Sequence, residues 1–153
     1  MQSAHVAAVR RFNRFYTKHI GVLDEGLLHT SFTLAEARVL YEIANRKEVS
    51  AGELAEELKL DPGYLSRILR SFQRKRLLRR KASADDARRS SLTLSDKGRR
   101  AFAILNKRQN ADVASLIKRV TPSRRPRLIA SLQVIQDALG ATPEPGFILR
   151  EPK

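Results

Sequence analysis

Tyr64, Ser66, Arg67 and Arg70 alternate with Leu65, Ile68, Leu69 and Phe72 so that, on a helix, the two sets face opposite ways. The outward set carries hydrogen-bonding chemistry. An arginine can donate two parallel bonds to O6 and N7 of a guanine, and seryl and tyrosyl hydroxyls reach base edges or phosphates. Gly63, just ahead of them, lets a backbone come close to a partner. A second group sits in the polar stretch 83–89. There, Arg88 or Arg89 suits a narrow minor groove, where negative potential is concentrated. Asp85 or Asp86 is unsuited to phosphate but can hold such an arginine in place. Ser50, as the cap of a short helix, leaves first-turn N–H groups free for a phosphate.

These side chains need rigid elements to present them. Asp61-Pro62 starts a helix, with Asp as cap and Pro where its missing N–H costs nothing, and the pattern runs to about Arg76. Ser50-Ala51-Gly52-Glu53 reads as a capping box opening a short helix with Leu54, Ala55 and Leu58 inside. About three residues, Lys59 to Asp61, join the two helices, which is the arithmetic of a helix-turn-helix whose second member lies in the major groove. Extended runs at Leu78–Lys81 and Ser90–Leu94 flank the polar turn and predict a hairpin.

Further elements frame this unit. Thr33-Leu34-Ala35-Glu36 is another capping box, opening a helix with Ala37, Leu40, Tyr41 and Ala44 inward. An amphipathic helix precedes it over Ser3–His19, with Val6, Val9, Phe12, Phe15 and Tyr16 at helical spacing. Ser95 caps a long helix, Asp96–Arg119, and Thr121-Pro122 starts a last one carrying Leu128, Leu132, Ile135 and Leu139 until Gly140 stops it. The predicted fold class is mainly α: a winged helix-turn-helix over 33–95 with a small β-hairpin wing and terminal dimerisation helices at 3–20 and 96–139. Residues 1–140 form the domain and 141–153 a Pro-rich tail or linker.

Charge points the same way. Thirty Lys and Arg against sixteen Asp and Glu give +14, which implies a polyanionic partner. Between Asp61 and Arg100, thirteen basic residues face four acidic ones, so this stretch holds +9 and the rest of the chain +5. Charge gathered on one unit reads as a binding face. The absence of cysteine excludes disulfides, thiol redox sensing and Cys-based zinc sites. His5, His19 and His29 are not at metal-ligand spacing, and no nucleophile with a base, Gly-rich phosphate loop or paired carboxylates suggests catalysis. Neither an enzyme nor a cofactor is expected. No apolar run reaches a membrane span and no signal-peptide pattern follows Met1, so a cytoplasmic, nucleoid-associated protein without membrane partners is expected.

Leu54-Ala55-Glu56-Glu57-Leu58, Tyr64-Leu65-Ser66-Arg67-Ile68-Leu69, Asp86-Ala87-Arg88-Arg89 and Leu92-Thr93-Leu94-Ser95-Asp96-Lys97-Gly98 together resemble the helix-turn-helix, D-x-R wing and L-T-x-x-G exit of the MarR family. The resemblance spans roughly Phe32–Phe102. It implies a homodimeric regulator on a pseudo-palindromic double-stranded DNA operator, with Arg88 in the minor groove and Asp86 as its partner. It also implies a small anionic or phenolic effector between the dimerisation and DNA-binding regions, a pocket for which Arg14, Lys18, His19, His29 and Tyr41 are candidates. Asp61, Pro62, Gly63, Tyr64, Ser66, Arg67, Arg70 and Ser50 then complete the DNA-binding set with Asp86, Arg88 and Arg89. One position departs from the family: Arg76 stands where glycine is usual, at a helix end that favours a left-handed residue.

Two alternatives follow. Val6–Tyr16, Asp61–Arg67 and Gly146-Phe147-Ile148-Leu149-Arg150 are similar to a subgroup in which a MarR domain precedes a GNAT-type acetyltransferase, and there Phe147–Arg150 would begin the first catalytic strand. On that reading the chain is the DNA-binding or regulatory N-terminal domain of such an enzyme. The other alternative is a non-specific architectural DNA-binding protein, for which affinity rests on charge alone.

Overall fold

The computed structural model describes residues 2–20, 30–82 and 90–140. Its elements run α1 (Gln2–His19), α2 (Leu34–Ala44), β1 (Val49–Ser50), α3 (Ala51–Leu58), α4 (Pro62–Arg74), β2 (Leu78–Ala82), β3 (Ser90–Leu94), α5 (Asp96–Arg119) and α6 (Arg125–Ala138), with a 3-10 turn at Pro122–Arg124. The mainly helical winged helix-turn-helix class is the observed one. Contacts divide the chain into two units, Met1–Asn110 and Ala111–Lys153.

Local caps start the helices of the first unit. The Thr33 hydroxyl accepts from Glu36 N (3.2 Å) and Glu36 Oε1 accepts from Thr33 N (3.1 Å), the full capping box. At α3 only the forward bond forms: the Ser50 hydroxyl accepts from Glu53 N at 3.1 Å. The link after α3 turns on Lys59, which is left-handed (φ 52°), and Leu60 N–H returns to the Ala55 carbonyl at 3.0 Å. Asp61 then caps α4 by accepting from Tyr64 N at 3.0 Å, with Pro62 at the first position.

The core gathers Val39, Leu40 and Ile43 of α2, Leu54 of α3, Leu65, Ile68, Leu69 and Phe72 of α4, and Leu77, Leu92, Leu94 and Leu105. Phe32 meets Phe72 edge-on (centroids 6.1 Å) and carries the Lys75 ammonium over its ring at 5.3 Å. The inward face of α2 differs from expectation. Ala37 and Leu40 are buried, but so are Val39, Glu42 and Ile43, while Tyr41 and Ala44 are only half-covered. The helix is covered over a wider arc than one stripe, and Tyr41 lies at its margin against Phe102, with Arg38 over its ring at 5.2 Å. Glu42 is tolerated inside because Arg38 (3.0 Å) and Arg46 (3.4 Å) sit one turn to either side of it. Arg46 also pairs with Glu57 and so ties α2 to α3.

The wing is a three-stranded antiparallel sheet, ordered β1-β3-β2, with Leu78 opposite Leu94 and Arg80 opposite Leu92. The third strand, β1, carries no signal of its own in the sequence. Two residues carry no period, and Val49 is placed only by pairing with the distant Leu92. Helix α4 stops at Arg74, two residues short of expectation, because Arg76 takes the left-handed conformation (φ 59°) normally given to glycine. Ser95 secures that turn. Its hydroxyl donates to the Arg76 carbonyl (2.6 Å) and accepts from Gly98 N (3.1 Å), while its N–H donates to the Leu77 carbonyl (2.9 Å). Gly98 is required here, since a Cβ would overlap the Leu77 carbonyl oxygen and lie 3.1 Å from its carbon.

In the second unit the predicted Thr121 cap does not form. Thr121 makes no capping bond, and a 3-10 turn precedes α6, which begins at Arg125. The Arg125 guanidinium instead serves the end of α5, donating from Nε to the carbonyls of Ile117 (3.1 Å) and Val120 (3.0 Å). Gly140 (φ 76°) ends α6 as expected. Both terminal helices show bare apolar faces: Val6, Val9, Phe12, Phe15 and Tyr16 on α1, Ile129, Leu132, Val134 and Ile135 on α6, and Leu139 just after it, are exposed. No helix of the described residues is long and apolar enough to cross a membrane.

Candidate nucleic-acid interface

Helix α4 sorts its residues as its sequence period demands. Leu65, Ile68, Leu69 and Phe72 are buried, and Asp61, Pro62, Gly63, Tyr64, Ser66, Arg67 and Arg70 are all exposed on the other side. Gly63 leaves room for the cap: a Cβ there would come 3.0 Å from Asp61 Oδ2, the atom that holds Tyr64 N–H. Tyr64 is 38% exposed, and the Arg67 guanidinium lies 5.8 Å from its ring centre. Arg67 and Arg70 then line a shallow groove of about 420 Å³ with Gln73 and Arg74. Gln73 and Arg74 were missed in the sequence, although they continue the same face at three- and four-residue steps from Arg70.

Two further recesses border this face. One of about 540 Å³ opens between α3, α4 and β2, bounded by Gly52, Ala55, Leu65, Ser66 and Arg80. It adds Arg80, another residue the sequence did not single out, because only strand pairing brings it beside α4. The second, about 470 Å³, is lined by Leu34, Arg38, Leu58, Leu60 and Tyr64 among others. Ser50 is half-buried, and its hydroxyl is engaged with Glu53 N. The first amides of α3, on Ala51 and Gly52, fall outside the helix's own ladder.

The electrostatics of the face are one-sided. Arg70, Arg74, Arg80 and Lys81 have no ion-pair partner among the described residues, and Arg79 has only the exposed Asp96 at 3.8 Å. Cations left unpaired in this way are available to phosphates or base edges. Asp86, Arg88 and Arg89 lie outside the described residues, as does His29. Of the other suggested effector residues, Arg14, Lys18 and His19 are exposed on α1, with the His19 ring stacked on Phe15, and Tyr41 is half-covered on α2. The three recesses are lined by other residues. Among the described residues no group of three or more acidic or histidine side chains is arranged to hold a metal ion.

Comparison with known proteins agrees with this geometry. No curated protein matches the chain in sequence. Solved structures do match it in fold. FabT of Streptococcus pneumoniae in complex with DNA is 20% identical, with a TM-score of 0.67 over 90% of this chain and 96% of that one. Wild-type MarR from E. coli, in its apo form, is 23% identical, with a TM-score of 0.68 over 86% and 95%. The S. aureus MepR–DNA complex is 18% identical, with a TM-score of 0.69 over 86% and 97%. The MarR family model matches residues 30–89, the stretch that holds α2, β1, α3, α4 and β2, and over that stretch the chain is similar to the MarR family.

Proposed function

We propose that the chain is a double-stranded DNA-binding transcription regulator, rather than an enzyme, acting as a homodimer on a pseudo-palindromic operator. The observation that carries this reading is the outer face of α4, where Ser66, Arg67 and Arg70 stand exposed while the opposite face is buried. Arginines on such a helix supply direct base readout, and the basic residues around it supply phosphate contacts and affinity. The DNA complexes of FabT and MepR, which share its fold, support it further. At the wing, the minor-groove contact falls to Arg88, or to Arg89 in its place, with Asp86 as the partner. Ser50 and the first turn of α3 take a phosphate.

The domain spans 1–140, with 141–153 a tail. The bare apolar faces of the terminal helices are the dimerisation surface. Exposed apolar patches of that kind mark association sites, and a two-fold pair would set its recognition helices about 34 Å apart, one DNA turn. A small effector acting through Arg14, Lys18, His19, His29 or Tyr41 completes the proposal, and cytoplasmic DNA is where it operates.

Competition binding tests the reading. Selected operator DNA should displace the protein from random duplex, and equal affinity for both, with salt dependence accounting for all of it, would favour a non-specific coater. Replacing Arg88 by Ala should weaken operator binding by about 1–3 kcal/mol without unfolding the protein. Unchanged gel-shift titration would remove Arg88 from the interface.

A further inference from the structure

We infer that Tyr64 sets base specificity without reading a base: its ring is a platform that holds the Arg67 guanidinium in the pose that recognises guanine. The inference rests on the DNA-binding reading above and assigns the division of labour within its face.

Tyr64 is anchored to the scaffold through its backbone at the first turn of α4. Its N–H is held by the Asp61 carboxylate at 3.0 Å. Its side chain lines, with Leu34, Leu58 and Leu60, the open recess beside α2 and α3. The residue is 38% exposed, and the guanidinium of Arg67, three residues on, sits 5.8 Å from the ring centre. Arg67, by contrast, is exposed and borders the open groove with Arg70, Gln73 and Arg74. The arrangement pairs a ring of few torsions with a longer, charged side chain three residues on.

Physics makes that pairing useful. A free arginine spreads over many rotamers and loses that freedom when both N–H bonds to a guanine edge must form together. A ring face three residues away attracts the guanidinium through its quadrupole and restrains its plane. Part of the ordering is then complete before DNA arrives, which strengthens the bidentate bond to guanine over the other bases, because among the major-groove edges only guanine offers the O6/N7 pair of acceptors. Phosphate contacts carry no sequence information whatever pose the arginine takes. The effect of the ring should therefore appear in discrimination more than in overall affinity.

Binding-site selection from a randomised duplex library, run on the full chain and on Tyr64→Phe, Tyr64→Leu and Arg67→Ala, tests this. Wild type and Tyr64→Phe should enrich the same motif, with guanine at one position of each half-site. Arg67→Ala should lose that guanine. Tyr64→Leu should weaken the preference at the same position by roughly two- to fivefold and leave the other positions intact. If Tyr64→Leu alters a different position, the ring reads a base directly and the inference fails. It fails equally if Tyr64→Leu leaves the motif unchanged, or if Tyr64→Phe behaves like Tyr64→Leu, which would put the hydroxyl in charge. Should wild type enrich no motif at all, the DNA-reading proposal falls and takes this one with it. Circular dichroism melts of each variant separate misfolding from lost discrimination, and an unfolded Tyr64→Leu would be replaced by Tyr64→Met for the same comparison.

Discussion

Two glycines occupy the first turns of two helices, Gly52 in α3 and Gly98 in α5, and alanine at each should have opposite effects. On helix propensity alone, both changes ought to stabilise by up to about 1 kcal/mol. Gly52 has that freedom: an added Cβ would meet nothing nearer than Ser50 Oγ at 3.9 Å. At Gly98 the Cβ would overlap the Leu77 carbonyl oxygen and lie 3.1 Å and 3.3 Å from Leu77 C and Cα. All three are backbone atoms, so no rotamer change relieves the contact. Either α5 lifts from the strand or Leu77 moves, and the 2.9 Å bond from Ser95 N to Leu77 O stretches in both cases. Overpacking of this kind costs about 3 kcal/mol, and the propensity gain offsets about 1. Gly98→Ala should therefore lose about 2 kcal/mol while Gly52→Ala gains about 0.5–1. Equilibrium urea unfolding followed by far-UV circular dichroism, at one fixed protein concentration, measures both. A Gly98→Ala protein as stable as wild type, or the same sign of change at both sites, would refute the close-contact argument.

Three further substitutions follow from the same geometry. Arg76→Gly should raise stability by about 0.5–1 kcal/mol in the same unfolding assay, because it removes a side chain from a left-handed residue, and a loss would mean that the Arg76 side chain makes contacts outweighing the strain. Asp61→Ala should cost about 1 kcal/mol by freeing Tyr64 N–H at the start of α4, and Asp61→Asn, still a competent cap, should recover most of it. Arg46→Met should cost about 1–3 kcal/mol, since it takes one of two cations from the buried Glu42 and the bridge to Glu57 as well; a cost indistinguishable from zero would show that Arg38 alone suffices.

The parts legible in the sequence were those decided within a turn or two of chain. Thr33, Asp61 and Ser95 announce helix starts by side chains that reach only three residues ahead, and the alternation of Leu65, Ile68, Leu69 and Phe72 with Arg67 and Arg70 fixes which side of α4 meets solvent. The misreadings have long-range causes. Val49–Ser50 is a strand only because β3 lies beside it. Glu42 looks like a surface residue until the more exposed Arg38 and Arg46 are seen to pair with it from either side. Thr121 has the right residue type for a cap, but the Arg125 side chain organises that corner instead. Arg80 and Gln73 join the candidate interface through strand pairing and groove geometry, and neither carries a motif.

The double engagement of Ser95 narrows what evolution can place there. At most helix starts aspartate serves as well as serine, because accepting a hydrogen bond is all that is asked. Here the same oxygen must also give a proton to the Arg76 carbonyl, 2.6 Å away. A carboxylate would set two lone pairs against each other, and alanine would abandon both partners at once. Only a hydroxyl meets both demands, so threonine is the natural replacement, and the junction between wing and α5 owes its fidelity to a single exchangeable proton.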